Sequence, residues 1–115
     1  MAFFTAVSLI ISSSVATVAF KFEKGDNVCL IGNSLPDRFN HDGWFEAVLQ
    51  SELKGQEVIF RNLGFTGDTV KERPRNQGFP SPETYLKICE ADVIFVFFGY
   101  NESFKGEKGL ESFMN

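Results

Sequence analysis

Three short segments of the chain combine glycine with groups that bond or react: "GNSLPDR" (Gly32 to Arg38), "NLGFTGDTV" (Asn62 to Val70) and "GYNES" (Gly99 to Ser103). They hold a hydroxyl at Ser34, an unshielded backbone amide at Gly67, and an amide and a carboxylate at Asn101 and Glu102. Each follows an apolar run, so its polar groups are delivered where a buried strand leaves its sheet. A serine hydroxyl exposed at such a point is placed to attack a carbonyl carbon. Its pKa is far too high for unaided attack, so that chemistry requires a base. An asparagine amide donates hydrogen bonds without carrying charge. Read singly, each residue has a plainer role. Ser34 suits a helix cap or a turn before Leu35-Pro36, Gly67 permits a turn with Asp68 or Thr69 as a cap, and Asn101 bonds its own loop.

The elements that must position these groups alternate in type. Strands are expected near Asn27–Ile31, Val58–Asn62 and Asp92–Phe98, each an apolar run bounded by turn residues. Between them, "DGWFEAVLQSEL" carries Phe45, Val48, Leu49 and Leu53 at helical spacing, with Asp42 as its cap and Gly55 as its stop. "SPETYLKICE" is a second helix, capped by Ser81 with Pro82 at its first position. "EKGLESFM" begins a further one. Trp44 is expected in the core, and Arg73 and Arg75 in the "ERPR" loop are expected in solvent. A β-α-β-α-β order with apolar strands predicts an α/β fold with a parallel sheet and helices on both faces. Ligands of such sheets gather at the carboxyl ends of the strands, where all three polar segments lie.

The chain has 115 residues, enough for one small domain, and its 43% hydrophobic and 23% charged residues exclude a disordered class. Fourteen Phe residues suit a small core that gains burial from few side chains. A net charge of −4 without a basic patch argues against nucleic acid as a partner. Residues 1–20, "MAFFTAVSLIISSSVATVAF", carry no charge. They read as a secretory signal with Ala16 or Ala19 as cleavage point, or alternatively as a membrane anchor, or as a buried N-terminal element. Membrane contact is expected only if that segment stays as an anchor, and the location expected is secreted or periplasmic. Cys29 and Cys89 both sit in apolar contexts and are read as two buried thiols rather than a disulfide. Their spacing and the single His give no metal pattern, and no cofactor is expected.

In order and at about the right distances, "IGNS", "GFTGDT" and "FGYNES" resemble the first three blocks of the SGNH (GDSL-like) hydrolases. The longer pattern "HDGW…RNLGFTGD…FFGYNESF" also resembles an exported GDSL-like subgroup of planctomycete-type bacteria, and the resemblance covers Asn27 to about Leu110. It implies a three-layer α/β/α sandwich with a flavodoxin-like parallel sheet, present in incomplete form over residues 25–115. It implies Ser34 as nucleophile, with the oxyanion hole formed by the Ser34 N–H, the Gly67 N–H and the Asn101 side chain. Such donors, held in place beforehand, stabilise a tetrahedral intermediate. The activity implied is that of an esterase or acylhydrolase on a small-molecule or carbohydrate ester.

Two departures are small: Asn33 stands where the family usually has Asp in the first block, and Glu102 where it has Asp in the third. The larger one concerns the base. The family's final block, an Asp three residues before a His, is absent, and the one His is His41, in "NHDGW". The chain is therefore expected to be the N-terminal part of a longer domain, nearly inactive by itself, with His41 read as a loop residue or a support of the site and, as the weaker alternative, as the base for Ser34. The alternative is a non-catalytic relative that keeps the pocket for a carbohydrate or acyl ligand. A phosphate- or nucleotide-binding domain fits less well, because "GNSLPDR" lacks the glycine spacing of a dinucleotide loop.

Overall fold

The structure is a computed structural model that describes residues 20–75 and 77–115. The segment read as a signal or anchor, 1–20, lies outside the described residues except for Phe20. Among the described residues no helix is long and apolar enough to cross a membrane.

The apolar runs form β1 (Asn27–Gly32), β2 (Ile59–Asn62) and β3 (Val93–Phe97), joined in one sheet of order β2-β1-β3. Both pairings are parallel, with Val28 opposite Phe60 on one side and opposite Val93 on the other. β1 is thus central, and its Val28, Cys29 and Leu30 are fully buried. The chain passes from β1 to β2 on one flank and then crosses to β3 on the other. The strand order therefore reverses at β1, which makes the gap beyond β1 and β3 a topological switch point.

Two helices follow β1: α1 (Ser34–Asp42) and α2 (Trp44–Glu52). The first was not foreseen, since "SLPDR" reads as a loop; Pro36 is tolerated because the first turn of a helix needs no N–H from it. Gly43, at φ 65°, ends α1 in the left-handed conformation, and its N–H bonds Phe39 O at 3.0 Å. The same residue is the N-cap of α2. Asp42 is therefore the last residue of α1 and not the side-chain cap of α2.

α1 and α2 cover one face of the sheet through aromatic rings. Phe39 and Phe45 stack at 4.6 Å, and both meet the Phe97 ring edge-on, at 5.6 and 6.1 Å. This edge-to-face geometry suits the ring quadrupoles and helps a small core cohere. Trp44, expected in the core, is instead 74% exposed, one position away from the buried stripe. The other face is approached by α3 (Pro82–Ile88), which starts as expected: the Ser81 hydroxyl accepts the Thr84 N–H at 3.3 Å, with Pro82 first in the helix. Cys29 is buried, while Cys89, at the C-terminus of α3, is only half-buried, so one of the two expected buried thiols is corrected. Both thiols are free. Burial, and after it the neighbouring Cys89 thiol, push the Cys29 thiol up to about 11.

After β3 come α4 (Tyr100–Ser103), a 3₁₀ turn (Gly106–Gly109) and α5 (Leu110–Met114), where a helix was expected. "GYNES" is therefore a helical turn rather than an open loop.

Candidate functional site at the strand ends

The three polar segments leave the carboxyl ends of β1, β2 and β3, and a set of specific bonds fastens them together. The first joins the β1 and β3 ends. Asn33 N–H donates to Phe97 O at 3.2 Å, and Gly32 lies so close that a Cβ there would stand 2.4 Å from the same oxygen. Only glycine permits this approach.

The first and second segments are joined next. The Asn62 amide Nδ2 donates to Pro36 O at 2.6 Å, and Thr66 Oγ1 donates to Asp37 Oδ2. Gly64 packs on the Pro36 ring, where a Cβ would come within 2.5 Å of Pro36 Cγ. Phe65 N–H closes the junction on Gly32 O at 3.1 Å.

The second and third segments are joined by Asn101 and Glu102. Asn101 Nδ2 donates to Asp68 O at 2.9 Å. One of the two amide hydrogens is used there. Glu102 accepts the Val70 N–H at 2.8 Å and the Gly99 N–H at 2.9 Å, one on each carboxylate oxygen. Burial alone pushes the Glu102 carboxyl up, but the amides of Val70, Glu102 itself and Gly99 together hold it below the ordinary carboxylate value. Glu102, where the resembled family has Asp, thus has a defined structural task.

Ser34 is the first residue of α1 and is half-buried. Its N–H is one of the first four amides of the helix, which have no partner within it, and the helix dipole there favours negative charge. Gly67 is exposed, at φ 93°, with open space where a Cβ would stand. Its two neighbours hold it between the other segments: Thr66 bonds Asp37 of α1, and Asp68 O takes Asn101. Ser34, Gly67 and Asn101 make no direct bond to one another. A cavity of about 130 Å³ borders Asn101 and Glu102 but is walled by Thr69, Val70 and the C-terminal helices, and neither Ser34 nor Gly67 lines it.

His41, read as a loop residue, is instead in the last turn of α1, where it is exposed. It lies seven positions after Ser34, about 10 Å along the axis at 1.5 Å per residue. That exceeds the hydrogen-bond reach a base requires. Among the described residues, then, no imidazole serves Ser34.

Two residues of the site were not anticipated. Asp68 is fully buried, and Arg73, read as solvated, has a side chain only 16% exposed, 3.5 Å from Asp68. The turn Thr69–Glu72 returns Arg73 over Asp68: Thr69 N–H bonds Glu72 O, and Glu72 N–H bonds Thr69 Oγ1, both at 2.8 Å. The guanidinium then lies 4.8 Å from the centre of the Phe98 ring, a cation–π contact that ties the turn to the end of β3. Burial raises the Asp68 carboxyl, and Arg73 only partly opposes it. Asp68 Oδ1, Arg73 Nε and Asn33 Nδ2 are buried without a hydrogen-bond partner among the described residues. The local sign in the sequence is Pro74, which restricts the backbone of Arg73. Arg75 is exposed, as expected. The chain matches no family model, no curated protein and no solved structure.

Proposed function

We propose that the chain is of the SGNH serine esterase or acylhydrolase type, a three-layer α/β/α fold with flavodoxin-like strand order. The observation that carries the reading is the fastening of three strand-end segments around Gly67, with its neighbours bonded to α1 on one side and to Asn101 on the other. In this reading the Ser34 hydroxyl attacks an ester carbonyl. The oxygen that gains charge is held by the Ser34 N–H, the Gly67 N–H and the other hydrogen of Asn101 Nδ2. Donors held in advance cost no reorganisation as charge develops. The proton leaving Ser34 needs a base, which this family takes from an Asp-x-x-His block that the 115 residues do not contain.

Supplied imidazole tests the assignment. With p-nitrophenyl acetate and buffer imidazole, the chain should accumulate acetyl on Ser34, detected by peptide mass spectrometry. Ser34→Ala removes that signal and Asn101→Ala slows its appearance. Acetylation spread over surface lysines, with none at Ser34, rejects the proposal. In a chain that carries the Asp-x-x-His block, Asn101→Ala should cost about 10²–10³ in kcat, the scale for one oxyanion donor.

The exposed position of His41 favours a second reading for the chain alone. Without a base it binds an acyl or carbohydrate ester at these donors and does not turn it over. Saturable binding without acetyl transfer, even with imidazole, selects this reading.

A further inference from the structure

A second cavity opens beside the strand ends, on the face where Ile31 points and α3 begins. It holds about 170 Å³ and is walled by Ile31, Leu63, Phe65, Phe79 and Tyr85. Asn62 and Arg73 also line it. The Asn62 side chain is already engaged, since Nδ2 donates to Pro36 O and Oδ1 accepts the Gly64 N–H at 3.0 Å. Arg73 is not. Among the described residues its one hydrogen bond is an Nη1 contact to Asp68 at 3.5 Å, and its buried Nε–H meets no acceptor. A guanidinium offers five N–H donors in a planar fork that matches a carboxylate.

The surrounding charge leaves that fork available. Asp68 meets Arg73 through one oxygen only, at 3.5 Å, and burial already opposes its ionisation. Glu83 also feels Arg73 but is wholly exposed, where water and salt screen it. Phe79 is 55% exposed at the cavity, a large apolar side chain without cover. A dry apolar cavity of roughly 150 Å³ is enough to take up benzene.

We propose that this cavity binds a small carboxylate with a single aromatic ring or short apolar body, its carboxylate on Arg73 and its body against Phe65, Phe79 and Tyr85. The site is separate from the Ser34 chemistry and stands whether or not Ser34 is a nucleophile. Benzoate is the probe and benzyl alcohol its neutral match, titrated into the full chain and followed by calorimetry and by the amide shifts of Ile31 and Phe79. Benzoate should saturate with a Kd on the order of 1 mM. Benzyl alcohol should bind about tenfold more weakly, because it forgoes the charge-assisted pair. Arg73→Gln should erase the preference for benzoate. That variant also leaves Asp68 unpaired, so Phe79→Ala is the second one: it changes an exposed ring and should weaken benzoate about threefold. Benzyl alcohol binding as tightly as benzoate overturns the proposal. So does benzoate that shifts neither amide, or binding that Phe79→Ala leaves unchanged.

Discussion

The second and third strand-end segments each place one carboxylate at the rim of the sheet, and the two are treated in opposite ways. Asp68 is fully buried, with one oxygen near Arg73 and the other without a partner among the described residues, and its pKa is raised. Glu102 is half-buried, takes a backbone amide on each oxygen, and its pKa is lowered. Burial opposes ionisation in both. What differs is the number of donors aimed at the charge. Two well-placed amides overcome desolvation at Glu102, whereas one long ionic contact at Asp68 does not. Glu102 is thus a clamp built for its charged form, and Asp68 is a buried acid set against a guanidinium.

Substitutions should separate the two. Asp68→Ala leaves the Arg73 guanidinium buried without an acceptor and should cost about 3 kcal/mol in a urea unfolding series. A loss below about 1 kcal/mol would show that Arg73 finds water instead. Glu102→Ala removes two charge-assisted bonds and should cost about 2 kcal/mol. The isosteric amides sharpen the contrast. Glu102→Gln should cost about 1 kcal/mol, and Asp68→Asn less than that, because the charge is favoured at one site and penalised at the other.

The pH dependence should carry the same signs. Glu102, lowered from 4.5, contributes stability that is present above that value and lost as pH falls through its folded pKa. Asp68, raised from 3.8, contributes stability that is present below that value and lost as pH rises through its folded pKa. Unfolding midpoints for wild type minus Glu102→Gln, and for wild type minus Asp68→Asn, should therefore slope in opposite directions across the acid range. Parallel slopes would break the comparison.

Asn101 links the two segments through a single neutral bond, so Asn101→Ala should cost about 1 kcal/mol. The smallest effect is expected at Ser34, whose hydroxyl bonds no group among the described residues. Ser34→Ala should change stability by less than about 0.5 kcal/mol. A larger loss would mean that the hydroxyl holds the fold together, and would weaken its assignment as a nucleophile.

Much of this arrangement was legible along the chain. The three strands lie close to their expected places, and Ser81 and Pro82 start α3, because apolar runs and capping residues act over a few neighbours. The errors share a cause. "SLPDR" contains the turn-forming pair of Pro and Asp, which hid α1, although both are acceptable in a helix's first turn. Asp42 looked like a cap because it precedes an apolar stripe, but α1 runs through it and Gly43 makes the break. Trp44 looked like core because it is large and apolar, yet helix phase turns it to solvent.

Local pattern by itself determined that three apolar strands each end in a glycine-bearing polar segment, in the order Ser34, Gly67, Asn101. It also determined that helices separate them, since periodicity and caps are properties of adjacent residues. Tertiary structure alone decided that β3 returns beside β1 and not beside β2, which puts the first and third segments side by side. It alone decided that Asp37 meets Thr66, Asp68 meets Asn101 and Val70 meets Glu102, pairs separated by 29, 33 and 32 residues. The same distant partners decided that one carboxylate is raised and the other lowered. A charge responds to the donors and the burial around it in space, and no spacing along the chain encodes which donors those are.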